Sequence, residues 1–379
     1  MKGIKTTIAA AAALLAAGAA QAEPVKVGMI TTLSGGGAGL GIDARDGFML
    51  AVKQANNPDL EVVIEDDQRK PDIAVQLADK MIQQDKVDVL TGIIWSNLAM
   101  AVVPSAVAQD KIYMSVNAAP SQLAGKGCNK NYFSVSYQND NLHEAAGGYA
   151  SSAGYEKAFI LAPNYPAGKD SLTGFKRFFF GDITNEVYTK LGQTDYAAEI
   201  AQIRASDADH VFFFLPGGMG IAFMKQYAQS GVDKPLIGPA FSMDQGILGA
   251  VGDAALGVKN TSNWSKDIDN PTNAAFVETF QAEYGRLPSL YASFGFDTAN
   301  LLLSAMDKAS ISDKDAFREA LRAADFNSVR GKFTFGPNQH PIQDLYVREV
   351  VKEGDVLTNK IIGTALTDHS DAYASECSM

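Results

Sequence analysis

Residues that could contact a small ligand are concentrated in the loops that follow predicted β-strands. Trp95, Ser96 and Asn97 come directly after the apolar segment 87–94. Ser96 and Asn97 can cap a helix that begins at this point, and the free backbone N–H groups of such a helix can face an anion. The sequence therefore predicts an anion-binding corner at Ser96. Trp95 is compatible with either the core or a wall of the cleft.

Four other loops occupy the equivalent position after a predicted strand, where open α/β sheets bind their ligands. From these loops we predict as ligand-facing Asn117, Ala118, Ala119, Tyr165, Ala167, Pro216, Gly217, Ala240 and Phe241, together with Ile94 at the end of its own strand. Most of these side chains are small or apolar.

The elements that would position these loops alternate between short β-rich segments and helical patterns. The first series of predicted strands is 25–33, 61–66, 87–94 and 111–116, and the second is 157–162, 185–189, 209–215 and 235–240. Repeated βα units with near-continuous apolar strands are typical of a parallel sheet covered on both faces. The predicted fold class is therefore α/β, with two doubly wound lobes.

The order changes after the second series. Three consecutive helical patterns occupy 270–325, and β structure returns from 331. The chain must then pass between the lobes more than once, and the polar segments 137–141, 262–270 and 336–344 are the predicted crossings of a three-stranded hinge. We expect lobe I to comprise 23–138 plus 265–340, and lobe II to comprise 139–264 plus 341–379.

The first 22 residues have the pattern of an export signal. A basic start at Lys2 and Lys5 precedes an apolar run and the small-x-small sequence Ala20-Gln21-Ala22, which predicts cleavage after Ala22 and a periplasmic location. The formal net charge of −11 becomes −13 without the two lysines. An acidic surface of this kind disfavours nucleic acid as a partner.

The chain contains only two cysteines, Cys128 and Cys377. In an oxidising compartment an isolated pair favours a disulfide over a metal site. Two unpaired thiols are the alternative.

Several patterns that could indicate catalysis are incomplete. The glycine-rich segment 34–41 loosely fits a dinucleotide fingerprint, but it lies too far from its strand, so we interpret it as a flexible lip of the cleft. The four histidines show no metal-ligand spacing, and no Gly-x-Ser-x-Gly nucleophile motif occurs. We therefore expect no enzyme, no cofactor and no metal.

The segments VKVGMITTLSGGGAGLG, VLTGIIWSN, FILAPNYPAGKD, PLIGPAF and YGRLPSLYASFGFD, in this order, resemble the periplasmic solute-binding proteins of the branched-chain amino acid ABC transporter class. That family has a type I two-lobed fold. The resemblance implies that Ser96 and the loop from Asn117 to Ala119 face the ligand carboxylate.

Three family contacts differ in this sequence. The resemblance places Ala240 where an acidic residue would pair with the ligand ammonium, and Ala167 where an aromatic residue stands, with Tyr165 two residues earlier. A further aromatic is replaced by Pro216 or Gly217. A buried ammonium without a carboxylate partner is strongly disfavoured. With Leu40 and Tyr291 added to the cleft, the prediction is a carboxylate with a hydrophobic or aromatic body.

The predicted protein is thus a monomeric, periplasmic binding protein that hands a small organic acid to an ABC permease. One alternative is a binding protein for branched-chain or other apolar amino acids. Another is a ligand-sensing subunit with the same fold, and a third is an exported enzyme on this scaffold.

Overall fold

The computed structural model describes residues 24–379, so the predicted signal peptide lies outside the described residues. The strands are β1 (Val25–Thr31), β2 (Leu60–Asp66), β3 (Val89–Thr91), β4 (Ile112–Ser115), β5 (Tyr132–Ser134), β6 (Lys157–Pro163), β7 (Asp182–Thr189), β8 (His210–Phe213), β9 (Leu236–Pro239), β10 (Lys259–Ser262), β11 (Thr334–Phe335), β12 (Pro341–Glu353) and β13 (Val356–His369). The helices are α1 (Ala38–Ala55), α2 (Pro71–Lys80), α3 (Ser96–Ala108), α4 (Ser121–Ala124), α5 (Asn141–Ser152), α6 (Pro166–Phe178), α7 (Ala197–Ala205), α8 (Gly218–Ser230), α9 (Gln245–Val251), α10 (Pro271–Tyr284), α11 (Leu290–Met306) and α12 (Lys314–Arg322).

Two parallel sheets with the same strand order form the centres of two lobes. The first sheet has the order β2-β1-β3-β4-β5. The parallel part of the second has the order β7-β6-β8-β9-β10, in which each strand occupies the place of its counterpart in the first sheet. The predicted α/β class and the two doubly wound lobes are confirmed. No helix in the described part of the chain combines the length and hydrophobicity that a membrane span needs.

Antiparallel strands extend the second sheet. β12 pairs with β10 on one side and with β13 on the other, and the short β11 pairs with the start of β12. β11 therefore lies beside the second sheet, although residues up to 340 are predicted to belong to lobe I. The lobe boundaries stay a prediction.

The helices that follow β10 return to the first lobe. α11 packs along α1 so closely that a Cβ at Gly47 would lie 1.9 Å from the carbonyl oxygen of Ala292. Asn270 caps α10 through a bond from the Thr272 N–H, with Pro271 in the first turn, and Ser289 caps α11 in the same manner. These polar caps fix where the two helices start. Tyr291 is thereby held in the first turn of α11.

The glycine-rich segment differs from its prediction as a flexible lip. α1 begins at Ala38, so Gly39 and Gly41 lie within its first turn. A Cβ at Gly41 would lie 2.1 Å from the carbonyl oxygen of Thr32. Glycine is required because the helix start contacts the end of β1, a long-range contact that the local sequence does not reveal.

The predicted disulfide between Cys128 and Cys377 is present. It joins the loop after α4 to the tail that follows β13. The tail also contacts the second lobe, where the Tyr373 hydroxyl donates to Asp140 at 2.8 Å. The disulfide and this hydrogen bond together attach the C-terminal tail to both lobes.

Candidate functional site

A cavity lies between the two lobes, at the carboxyl ends of the parallel strands. The space between protein atoms at this site, including any part open to solvent, is about 350 Å³. Its lining consists of Leu40, Ile94, Trp95, Ser96, Asn117, Tyr137, Asn139, His143, Tyr165, Ala167, Phe214, Pro216, Phe241 and Tyr291. Ten of the fifteen residues predicted to face the ligand are brought together here, although their role in binding stays a prediction.

Five predicted residues do not line the cavity: Asn97, Ala118, Ala119, Gly217 and Ala240. The N–H of Ala118 donates to the carbonyl of Ile93, and the N–H of Ala119 donates to Oδ1 of Asn139 at 3.1 Å. Both N–H groups are therefore engaged within the protein. Ala240 is fully buried.

Gly217 lies at the rim of the cavity. Its φ is +61°, and a Cβ built on it would lie 3.3 Å from the carbonyl oxygen of Gly36 in the opposite lobe. The glycine therefore allows the two loops to meet and cover the cavity.

The first turn of α3 brings polar groups to the cavity. Trp95 precedes the helix and no side chain caps it, so the prediction that Ser96 and Asn97 act as caps is wrong. The N–H groups of Leu98 and Ala99 donate to the Trp95 carbonyl, whereas those of Ser96 and Asn97 have no protein acceptor within residues 24–379. The Ser96 hydroxyl accepts a bond from Asn139 at 3.1 Å. The Ser96 hydroxyl can in turn donate a hydrogen bond to an anion beside this positive helix end.

Trp95 belongs to both the core and the cavity wall. Its ring is almost fully buried, and its Nε1 donates to Thr32 Oγ1 at 3.0 Å. The Arg69 guanidinium lies 4.2 Å from the ring centroid. On the other lobe, the Tyr165 ring lies 6.4 Å from that of Trp95. These contacts hold a rigid aromatic surface toward the cavity.

Aromatic rings of the second lobe form the opposite wall. The ring centroids of Tyr165 and Phe214 are 6.3 Å apart, and those of Phe214 and Phe241 are 5.8 Å apart. Tyr291 closes the series at 6.3 Å from Phe241. The hydroxyls of Tyr165 and Tyr291 form no hydrogen bond to any described residue and remain available to a ligand.

Four lining residues were not predicted: Tyr137, Asn139, His143 and Phe214. Phe214 lies in the predicted strand 209–215, whose carboxyl end is a binding position. The other three lie on or just after the predicted crossing 137–141. A hinge strand that passes between two lobes must run along the base of the cleft, and this is the signal that could have identified them.

Asn117 supports the cavity through its own hydrogen bonds. Its Nδ2 donates to the Ile94 carbonyl at 2.7 Å, and its Oδ1 accepts from the Tyr137 hydroxyl at 2.8 Å. The amide and the phenol are therefore engaged with each other, and they tie two loops of the first lobe to the hinge. Hydrogen bonds to a ligand are therefore expected from lining groups other than the Asn117 amide.

A set of hydrogen bonds, here called the latch, links the lobes beside the cavity. Asp170 of α6 accepts from both the N–H and the hydroxyl of Ser121, at 3.1 and 2.7 Å. Asn139 donates to Asp170 at 2.8 Å as well as to Ser96. Burial raises the pKa of Asp170, and the bonds from Ser121 oppose that rise. The latch connects the anion-binding corner directly to the closed arrangement of the lobes.

No charged side chain lines the cavity within the described residues. His143 does not supply a charge either, because desolvation lowers its pKa to about 3. An anion is therefore met by uncharged donors, and an ammonium group has no carboxylate partner among the described lining residues. The arrangement fits a small carboxylate with an uncharged body.

The described architecture defines a binding protein in which two lobes enclose one small molecule. The sequence profile of the family described as Periplasmic binding protein matches residues 24–355, and the chain belongs to that family. Its members are solute-binding proteins rather than a class of enzymes, and the family places the protein in the periplasm. The fold is the type I fold of this family.

The relatives of this chain are named for, or were solved with, different ligands. The Leu/Ile/Val-binding protein homolog 6 of Brucella melitensis is 30% identical over 371 residues, with 94% of each chain covered. An ABC transporter solute-binding protein of R. palustris, solved in complex with benzoate, is 30% identical with a TM-score of 0.89 and covers 94% of this chain and 100% of its own. A second such protein, from Rhodopseudomonas palustris BisB5 in complex with 3,4-dihydroxybenzoic acid, is 28% identical with a TM-score of 0.84 over 92% and 99% of the two chains.

Proposed function

We propose that this protein binds an aromatic carboxylate of the benzoate class between its lobes and delivers it to an ABC permease in the inner membrane. In this proposal it is a monomer, exported with a signal peptide that is cleaved after Ala22. The observation that carries the ligand class is a cavity with aromatic walls and no charged side chain. The benzoate and dihydroxybenzoate complexes of the two R. palustris relatives support the same class.

In the bound state, the carboxylate lies at the start of α3. The Ser96 hydroxyl and the Ser96 backbone N–H supply its hydrogen bonds. The ring lies between Trp95 and the rings of Tyr165, Phe214 and Phe241. Burial of roughly 200 Å² of apolar surface stabilises the complex by about 5 kcal/mol, a large part of the roughly −8 kcal/mol that micromolar affinity requires.

Binding of apolar amino acids is the second candidate, because the Brucella melitensis relative is named for leucine, isoleucine and valine. An amino acid would bring its ammonium into the same cavity. The position that the resemblance assigns to the acidic partner is Ala240, which is buried away from the cavity. The unpaired ammonium would cost several kcal/mol.

Isothermal titration calorimetry of the refolded, ligand-free protein tests this choice. We expect micromolar binding of benzoate or a hydroxybenzoate and no measurable binding of leucine. Native mass spectrometry of the protein as purified provides an independent check, with an aromatic acid as the expected bound mass. Tight binding of leucine without binding of any benzoate would overturn the proposal.

Replacing Ser96 with alanine should weaken benzoate binding about 10- to 100-fold, because a hydrogen bond to a charged group is lost. The dissociation constant from calorimetry measures this effect. Ser105→Ala is the matched control, since Ser105 lies on the exposed side of the same helix and its variant should bind as the wild type does. An unchanged dissociation constant in Ser96→Ala would place the carboxylate elsewhere.

A further inference from the structure

His143 is a buried polar residue of the cavity that the carboxylate-binding corner does not use. It lies in the first turn of α5, is 1% exposed, and lines the cavity. Its imidazole is surrounded by phenylalanine rings, with centroid distances of 5.0 Å to Phe214, 5.9 Å to Phe212 and 6.0 Å to Phe241. A polar ring thus interrupts an otherwise aromatic hydrocarbon wall.

The imidazole has no hydrogen-bond partner among residues 24–379. Its Nδ1 is buried without a partner among them. Buried polar atoms are rarely left unpaired in folded proteins. The other side-chain amides of the lining, Asn117 and Asn139, are engaged within the protein. The unsatisfied hydrogen-bonding capacity of the His143 ring therefore indicates a contact with the ligand.

The sequence positions of Asn139 and His143 indicate where His143 lies relative to the anion-binding corner at Ser96. Asn139 precedes α5 and donates to Ser96, whereas His143 comes four residues later, in the first turn of that helix. Asn139 is therefore adjacent to the carboxylate corner, and His143 lies further along the cavity, among the rings of the second lobe. A ligand anchored at Ser96 directs its ring, and any ring substituent, toward that part of the cavity.

We propose that His143 recognises a hydroxyl group on the ring of the bound acid, so that the preferred ligand is a hydroxylated aromatic carboxylate rather than benzoate itself. This inference rests on the proposed function. A neutral imidazole offers one donor and one acceptor, and a phenolic hydroxyl offers the same pair in return. Unsubstituted benzoate would leave the imidazole without a partner in an apolar surrounding, which disfavours its binding.

Calorimetry with benzoate, 3-hydroxybenzoate and 4-hydroxybenzoate tests the inference on the wild-type protein and two variants. His143→Phe removes both nitrogens among rings of the same kind, whereas His143→Gln keeps one donor and one acceptor. The wild type should bind at least one hydroxybenzoate about tenfold more tightly than benzoate. His143→Phe should bring the ratio of the benzoate and hydroxybenzoate dissociation constants close to one, whatever its affinity for benzoate, and His143→Gln should keep part of the preference.

The outcomes separate the inference from the function on which it rests. Equal affinity of the wild type for all three acids would overturn the role of His143 and leave the benzoate-class function in place. An equal loss for all acids in His143→Phe would overturn it too, since it would show a purely structural role. If the wild type binds none of the three acids, the proposed function fails together with the inference.

Discussion

Replacing Arg330 with methionine should lower the free energy of unfolding by about 3–5 kcal/mol, because it leaves a buried carboxylate without its counter-ion. Arg330 and Asp297 are both essentially inaccessible to solvent, and Nε lies 3.0 Å from Oδ2. Nη1 also donates to the carbonyl of Ser136 at 2.7 Å and to Oε1 of Gln343 at 2.9 Å. Methionine fills a similar volume but satisfies none of these acceptors.

The effect should be large because Arg330 joins the strands of the hinge. Ser136 immediately precedes the first crossing, 137–141, and Gln343 lies within the third, 336–344. Asn263 of the second crossing donates to the carbonyl of Ser136 at 2.8 Å and to Gln343 at 3.1 Å. One guanidinium therefore supports the point at which all three crossings meet, and its loss should loosen the relative position of the lobes as well as the fold.

Guanidinium chloride unfolding followed by circular dichroism measures the change in Arg330→Met. Lys53→Met is the matched control, because Lys53 pairs with Glu283 at the surface and exposed pairs contribute about 0–1 kcal/mol. A change in Arg330→Met no larger than that of the control would contradict a structural role of the buried pair.

Removal of the disulfide by the double substitution Cys128→Ser and Cys377→Ser should lower the free energy of unfolding by about 3–5 kcal/mol. The two cysteines are 249 residues apart, so the bond closes a very long loop and restricts the unfolded chain. It also fastens a tail that Tyr373 attaches to Asp140, and the tail should become mobile without it.

Chemical unfolding with and without reductant measures this contribution. The wild type in reductant should match the double variant, and reductant should leave the double variant unchanged. If the oxidised wild type and the double variant unfold at the same denaturant concentration, the disulfide does not contribute to stability.

The strands that could be predicted from the sequence are those with continuous apolar residues. Strands 25–33 and 157–162 correspond to β1 and β6 within a few residues. β10 was missed because its sequence, Lys259 to Ser262, is polar. It is nevertheless central in the second sheet, where Asn260 accepts from the buried Arg348. Such a strand is stabilised by partners about 90 residues away, and no local pattern indicates them.

The same distinction holds for the candidate site. Ser96 and Trp95 could be predicted because their place after a strand is a local property of the sequence. Asn139 and His143 could be found only through the predicted crossing 137–141, since their importance depends on a hinge segment that meets both lobes. Ala240 is not part of the lining, but the absence of a carboxylate at that position agrees with a described lining that contains no acidic side chain.

The latch has a consequence for transport. Its hydrogen bonds join Asp170 and Asn139 to Ser121 and Ser96, so they connect groups of the protein itself. The outer shape of the closed protein is therefore determined by contacts within the protein and not by the ligand. In the proposed transport role, a permease that recognises this closed shape would meet the same surface whichever acid the cavity holds.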